Sequence, residues 1–376
     1  MTAYMGLVQS YVNTVPNKIM VTDRILQTNP LKIVPYARLG TDVAKFAFLN
    51  MDGKEYRWLE DTYVPETSTL AADGNAESSS AETQLTMTSA TFCQAGDLIL
   101  IDAEVMWVSA VSSATLTVTR NRGGTQATHT HESVVTRIGR ARIDGDDADS
   151  SPQTEVSSST NFTQILQRSI NVARSKQKMA QYGISDAAGY EIDKKMEELM
   201  MQLCKLPYYG YRATGSSTVA RAAGGFRQFI TDNTTDVASA ALTRDHIDDL
   251  LSDIHTDGGD PDLILCGSFA QRKINSFYEG FISTERSEAL GGNLISKLQN
   301  PISGSSIDVV VDLHCPADEM WVLSSDKIAF YPFDPFFYEE LGKTGDALLG
   351  QIVGEYGFVV AADKHHGFLD GISTSS

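Results

Sequence analysis

Phe337-Tyr-Glu-Glu-Leu-Gly-Lys343-Thr344-Gly345-Asp346, with Gly350-Gln-Ile-Val-Gly-Glu355 just beyond it, sets aromatic and acidic residues against a run of glycines. Its Gly-Lys-Thr centre invites comparison with a phosphate-binding loop. Such a loop cradles phosphates with successive backbone N–H groups in a glycine-rich turn between strand and helix. Here Phe337 and Tyr338 crowd the approach where glycines are needed, so the nucleotide reading fails on geometry.

Outward from that stretch, the 376 residues suffice for two or three domains, each with its own core. Hydrophobic residues make up 42% and charged residues 21%, a globular composition, and no apolar run approaches the about 20 residues of a membrane helix. In Met1 to Pro30, Asn17, Lys18 and Asp23 interrupt any apolar signal core, so no export signal is expected. The net charge of -18 argues against gripping a phosphate backbone as the main task, because that task gains affinity by neutralising phosphates. Cys93, Cys204, Cys266 and Cys315 lie far apart with no Cys-x-x-Cys pair and read as buried free thiols.

Pro16 and Pro30 break the amino-terminal segment into an extended arm. Phe46, Phe48, Tyr56 and Trp58 flank Asp52-Gly53 like the limbs of a hairpin. Thr67 to Thr83 is polar and small, a linker. From Gln84 to Arg142 the short runs Asp97–Asp102, Glu104–Val111 and Thr115–Thr119 predict a β-rich module. A second linker, Ile143 to Gln153, combines acidic residues, glycine and proline. Strand-like composition resumes at Asn161. Ile192, Met196, Leu199 and Leu203 then place an amphipathic helix over Ser185 to Cys204, with a cap at Ser185-Asp186 and Pro207 past its end. A helix from Thr243 to Gly258, a strand ending at Cys266, a helix over Phe269 to Phe281, and strands at Ile307–Asp312, Met320–Ser324, Lys327–Phe330 and Gly350–Val360 complete an α+β body.

Three blocks together carry a family resemblance. Lys54-Glu-Tyr-Arg-Trp58-Leu-Glu60-Asp61 with Ala71-Ala-Asp-Gly-Asn-Ala76, Asn161-Phe-Thr-Gln164 through Tyr182-Gly183 and the helix to Leu206, and Leu341 through Glu355 resemble major capsid proteins of tailed bacteriophages, of the podovirus SU-ten type. The resemblance runs from about residue 20 to about residue 372, apart from the β-rich module. It implies the capsid fold named for phage Hong Kong ninety-seven. By it, residues 1–37 are an amino-terminal arm, 38–83 the first limb of an extended loop, 84–142 an inserted β-barrel or β-sandwich-like domain and 143–156 a linker. Residues 157–207 are then the return limb and spine helix, 208–316 an axial domain, and 317–376 peripheral strands and the carboxy-terminus. The resemblance further implies no cofactor and no catalytic centre, and self-assembly into pentamers and hexamers of an icosahedral shell. Scaffolding protein, portal and a decoration protein are the implied partners, double-stranded DNA is enclosed without sequence-specific binding, no membrane is involved, and the shell assembles in the host bacterial cytoplasm.

The remaining chemical motifs are weighed against plainer roles. Asp144, Asp146, Asp147 and Asp149 suggest calcium, but Ala148 stands where the helix–loop–helix calcium pattern needs an oxygen ligand, so a solvated linker is expected. His129 and His131 are expected in an exposed loop, and His365 and His366 as surface histidines. Glu60 and Asp61 would face opposite sides of a strand, which disfavours an acid/base pair. With Lys54, Arg57 and Trp58 they are instead candidate inter-subunit contacts. Ser268 reads as a helix cap. The aromatic cluster Phe330 to Tyr338, broken by Pro332 and Pro335, is expected to resist regular strand pairing, with Phe333, Phe336 and Phe337 as interface anchors. The rival reading is a phage decoration or fibre-type protein that binds a glycan through its β-rich segment.

Overall fold

The computed structural model describes residues 47–48, 53–71, 82–140, 144–145, 154–179, 186–278, 297–343 and 345–374. The expected arm, most of the second linker and Tyr182-Gly183 lie outside the described residues. The chain divides into two compact units: Leu59–Ser158 is continuous, and the other joins the segment ending at Trp58 to the segment beginning at Ser159.

In the two-segment unit, one sheet has four strands in the order Ala47–Phe48, Ile328–Glu340, Ala347–Val360, Gln164–Ala173. The helix Ala187–Tyr209 starts at Asp186, whose side chain accepts a hydrogen bond from Ala188 N–H at 2.9 Å. Leu199, Leu203 and Leu206 from its apolar face share a core with Leu166, Ile170, Val172, Phe330, Ile352 and Phe358 of the sheet. Pro207, expected beyond the helix, lies inside it. Proline lacks the N–H and crowds the carbonyl four residues back, but so near the helix end the last turn still closes, with Gly210 N–H reaching Leu206 C=O at 2.9 Å.

A second sheet has six strands in the order Thr234–Asp236, Gly367–Asp370, Met320–Leu323, Leu263–Cys266, Ser306–Val311, Lys297–Gln299. Its central strands are apolar at every position because both faces are covered. Ile264, Cys266, Met320 and Val322 meet Ile247, Leu250, Leu251 and Ile254 of the helix Arg244–Thr256 and Ala270 and Ile274 of the helix Ser268–Tyr278. Leu263, Leu265, Trp321 and Leu323, one residue out of phase, meet Tyr208, Phe226 and Ile230. Thr243 closes a capping box with His246. The boundary expected at Pro316 does not follow the pairing, because strands on both sides of it share this sheet.

Leu59–Ser158 carries an antiparallel sheet in the order Thr67–Thr69, Val134–Arg140, Asp97–Ile101, Glu104–Ser112, Thr115–Gly123, Gln84–Thr86. Its outer strands also meet: Leu70 bridges Met87, Ala71 N–H reaches Thr86 C=O and Thr88 N–H reaches Thr69 C=O, both at 2.9 Å. The sheet therefore closes into a barrel, around Leu85, Phe92, Ile99, Ile101, Met106, Val108, Leu116 and Val135. Thr67 to Leu70, expected in a linker, belongs to this sheet.

Among the described residues, the strands on either side of Asp52-Gly53 do not pair with each other as the expected hairpin would require. Ala47–Phe48 pairs in parallel with Ala329 and Phe330, while Glu55–Glu60 pairs with Ser157–Phe162. Local alternation marked both strands, but their partners were fixed by distant packing. No helix among the described residues is long and apolar enough to cross a membrane.

Candidate assembly surfaces

The stretch Phe337–Asp346 joins the two longest strands of the four-stranded sheet, and glycines let them pack. A Cβ on Gly350 would lie 2.4 Å from the Tyr338 ring, one on Gly354 2.4 Å from Phe336, and one on Gly357 2.3 Å from Tyr331. Rings of one strand thus lie over bare backbone of the next. Pro332 and Pro335 are accommodated rather than excluded, at the register shifts between Pro332 and Asp334 and between Asp334 and Phe337.

This packing divides the expected interface aromatics. Phe330 and Tyr331 are core residues. Phe336 is half-buried, packs 4.8 Å from the Tyr356 ring, and its N–H donates to the Tyr356 hydroxyl at 3.0 Å. Phe333 and Phe337 remain 38% and 41% exposed, so these two present apolar surface.

The candidates in the first limb also diverge. Trp58 is buried, edge-on to Phe229 with ring centroids 5.3 Å apart, and its cluster includes Tyr331 and Val359. It serves the subunit's own packing. Arg57 is exposed and pairs with Glu55 at 2.7 Å, and the Lys54 carbonyl accepts from Thr163 N–H at 3.0 Å while its side chain faces solvent. The Glu60 carbonyl accepts from Ser157 at 3.2 Å, and the Asp61 carboxylate accepts from Thr62 N–H at 2.9 Å.

Sequence reading missed the buried polar ties. Asn161, fully buried, donates to Gly224 C=O at 3.1 Å and Phe358 C=O at 2.7 Å, and accepts from Gly224 N–H at 2.8 Å. Glu355 takes Arg221 and Thr163. Tyr208 donates to Asp312 at 2.6 Å, and burial raises both groups' pKa values. In the barrel, burial opposes ionisation of Glu104, but bonds from Arg120, Ala127 N–H and His129 outweigh it and hold its pKa at about 2. His129, expected in an exposed loop, is buried between Glu104 at 3.1 Å and Asp102 at 2.7 Å. His366, expected at the surface, is also buried: its Nδ1 accepts from Ser324 N–H at 3.2 Å and its Nε2 donates to Ala361 C=O at 3.1 Å. Apart from Ala361, five positions before His366, the partners lie 16 to 197 positions apart, and no local pattern pairs them. All four cysteines are buried and joined by no disulfide, and burial pushes Cys93 and Cys266 up to about 12.

No group of three or more potential metal ligands occurs among the described residues. What the body offers is a rigid frame with exposed aromatic and charged edges. The same fold occurs in solved capsids. The cyanophage A-1(L) capsid subunit superposes with a TM-score of 0.53 at 13% identity, over 98% of this chain and 97% of that one. The capsid of the native GTA particle superposes with a TM-score of 0.52 at 8% identity, over 96% of each chain. This α+β frame is therefore the capsid fold of the Hong Kong ninety-seven type. The chain belongs to the SU10 major capsid protein family, whose model matches residues 8–373. No curated protein matches the sequence. The chain is thus a major capsid protein of the tailed-phage kind, a structural component of the virion.

Proposed function

We propose that copies of this chain gather into pentamers and hexamers that close as an icosahedral shell around double-stranded DNA, without reading its sequence and without catalysis. The observation that carries this reading is a capsid family match running from residue 8 to residue 373 of a 376-residue chain. In this reading residues 1–37 form the arm, the segments ending at Trp58 and beginning at Ser159 the limbs of the extended loop, and the barrel of Leu59–Ser158 a domain carried between them. The helix Ala187–Tyr209 is the spine. Residues 208–316 supply the axial domain, together with the strands Met320–Leu323 and Gly367–Asp370 that pair into its sheet.

Function is then shape and repetition. Modest contacts multiplied around closed rings give a durable shell. Lys54, Arg57, Glu60, Asp61, Phe333 and Phe337 are the contacts proposed, with Trp58 and Phe336 holding the frame behind them. The charge of -18 lets packed DNA slide rather than stick. Scaffolding, portal and decoration proteins are the partners, and the host cytoplasm is the place of assembly. The test is to purify the chain and follow it by light scattering as concentration rises. Growth into large closed particles is expected, and a small fixed oligomer at every concentration would overturn the reading.

A further inference from the structure

The end of the long helix turns three tyrosines in different directions. Tyr208 points inward to Asp312, whereas Tyr209 and Tyr211 are 61% and 68% exposed, an unusual display for aromatic rings that the subunit itself does not cover. They border a surface groove of about 590 Å³ whose other walls are Arg227, Gln228, Pro316, Asp318 and Glu319.

The floor of this groove is fixed. Glu319 is buried and accepts from Trp321 Nε1–H at 3.1 Å and from Arg227, whose guanidinium also lies 5.2 Å over the Phe368 ring and 3.3 Å from Asp370. Asp318 stands exposed at the rim. Against the single cation Arg227, the lining carries two carboxylates, and Asp370 adds a third behind it. The lining is therefore net negative: beyond burial, Glu319, Cys315 and Asp318 raise the Tyr209 hydroxyl pKa and Arg227 opposes them. Tyrosine faces beside carboxylates are the environment that a guanidinium or ammonium group recognises, by cation–π attraction together with ion pairing.

Two facts point to the occupant. Capsid family membership makes another copy the neighbour every subunit must have. With 30 basic residues against 48 acidic ones, faces of two copies tend to repel, so each exposed cation that finds an acidic seat helps fix their register. The chain displays such a cation in Lys178, on a short helix with no buried residue whose first residue, Arg174, already pairs with Asp346 at 2.6 Å.

We propose that the Tyr209–Tyr211 groove is the receiving half of a contact between copies of this chain, seating an arginine or lysine side chain of the neighbouring subunit between the tyrosine rings and the Asp318 carboxylate. This rests on the subunit reading above. The experiment compares the full-length chain with Tyr209→Ser/Tyr211→Ser and with Asp318→Lys, measuring melting temperature and the concentration at which particles appear. Both altered surfaces are exposed, so melting should hold. The threshold should rise roughly tenfold for the tyrosine pair, the loss typical of interface anchors, and further for Asp318→Lys. Should the double variant melt early, Asp318→Asn carries the same test. Folded variants that assemble at the unaltered threshold overturn this contact alone. A natural chain that never assembles overturns the subunit reading and this contact with it.

Discussion

His366 sits with both ring nitrogens committed, one accepting from Ser324 N–H and the other donating to Ala361 C=O, a pattern only the neutral ring can satisfy. Burial lowers its pKa from 6.5 to about 4. Between those values the unfolded chain binds the proton more readily, so stability falls as pH drops from about 6.5 towards about 4, by up to about 3 kcal/mol. Urea denaturation at pH 7 and pH 5 should show that loss, and His366→Gln should flatten it; equal midpoints for the natural chain would contradict this account. Tyr331 offers a second residue-scale test. Its ring is fully buried, and its hydroxyl has no hydrogen-bond partner among the described residues. Tyr331→Phe should leave the melting temperature unchanged or raise it, because no bond is lost and a buried polar group is removed. Neither residue was legible in the sequence. An adjacent pair of histidines looks like surface until distant strands cover one of them.

At the scale of elements, the long helix and the two central strands of the six-stranded sheet could be read directly. Three- and four-residue spacing and unbroken apolar runs survive any arrangement of neighbours. Strand partners could not be read that way. Asp52-Gly53 suggested a hairpin whose flanks pair elsewhere, and Pro332 and Pro335 seemed to forbid a strand that tolerates them at register shifts. The aromatic–glycine match across the Ile328–Glu340 and Ala347–Val360 strands was visible only as two compositional oddities far apart in meaning. It makes a sharp prediction. Gly357→Ala places a methyl against the immobile Tyr331 ring and should cost about 1–3 kcal/mol, read as a lowered denaturation midpoint. Leu199→Ala, on the buried helix face, should cost about 2–5 kcal/mol by the same measurement.

For the whole molecule, the family could be recognised from three stretches of sequence, while which contact candidates stay at the surface could not. Of the eight residues singled out for contact between subunits, Trp58 and Phe336 turned inward, because aromatics that anchor interfaces also fill cores. The exposed tyrosines at 209 and 211 carried no local pattern that set them apart. The barrel of Leu59–Ser158 closes its own sheet and buries its own core, so the segment made alone should melt cooperatively with β-type circular dichroism. The central claim is that this chain builds a shell. Cryo-electron microscopy of particles grown from the purified chain tests it most directly. A closed shell of five- and six-membered rings, with this fold repeated in the density, is the predicted result; a field of monomers or small fixed oligomers at every concentration and salt would contradict it.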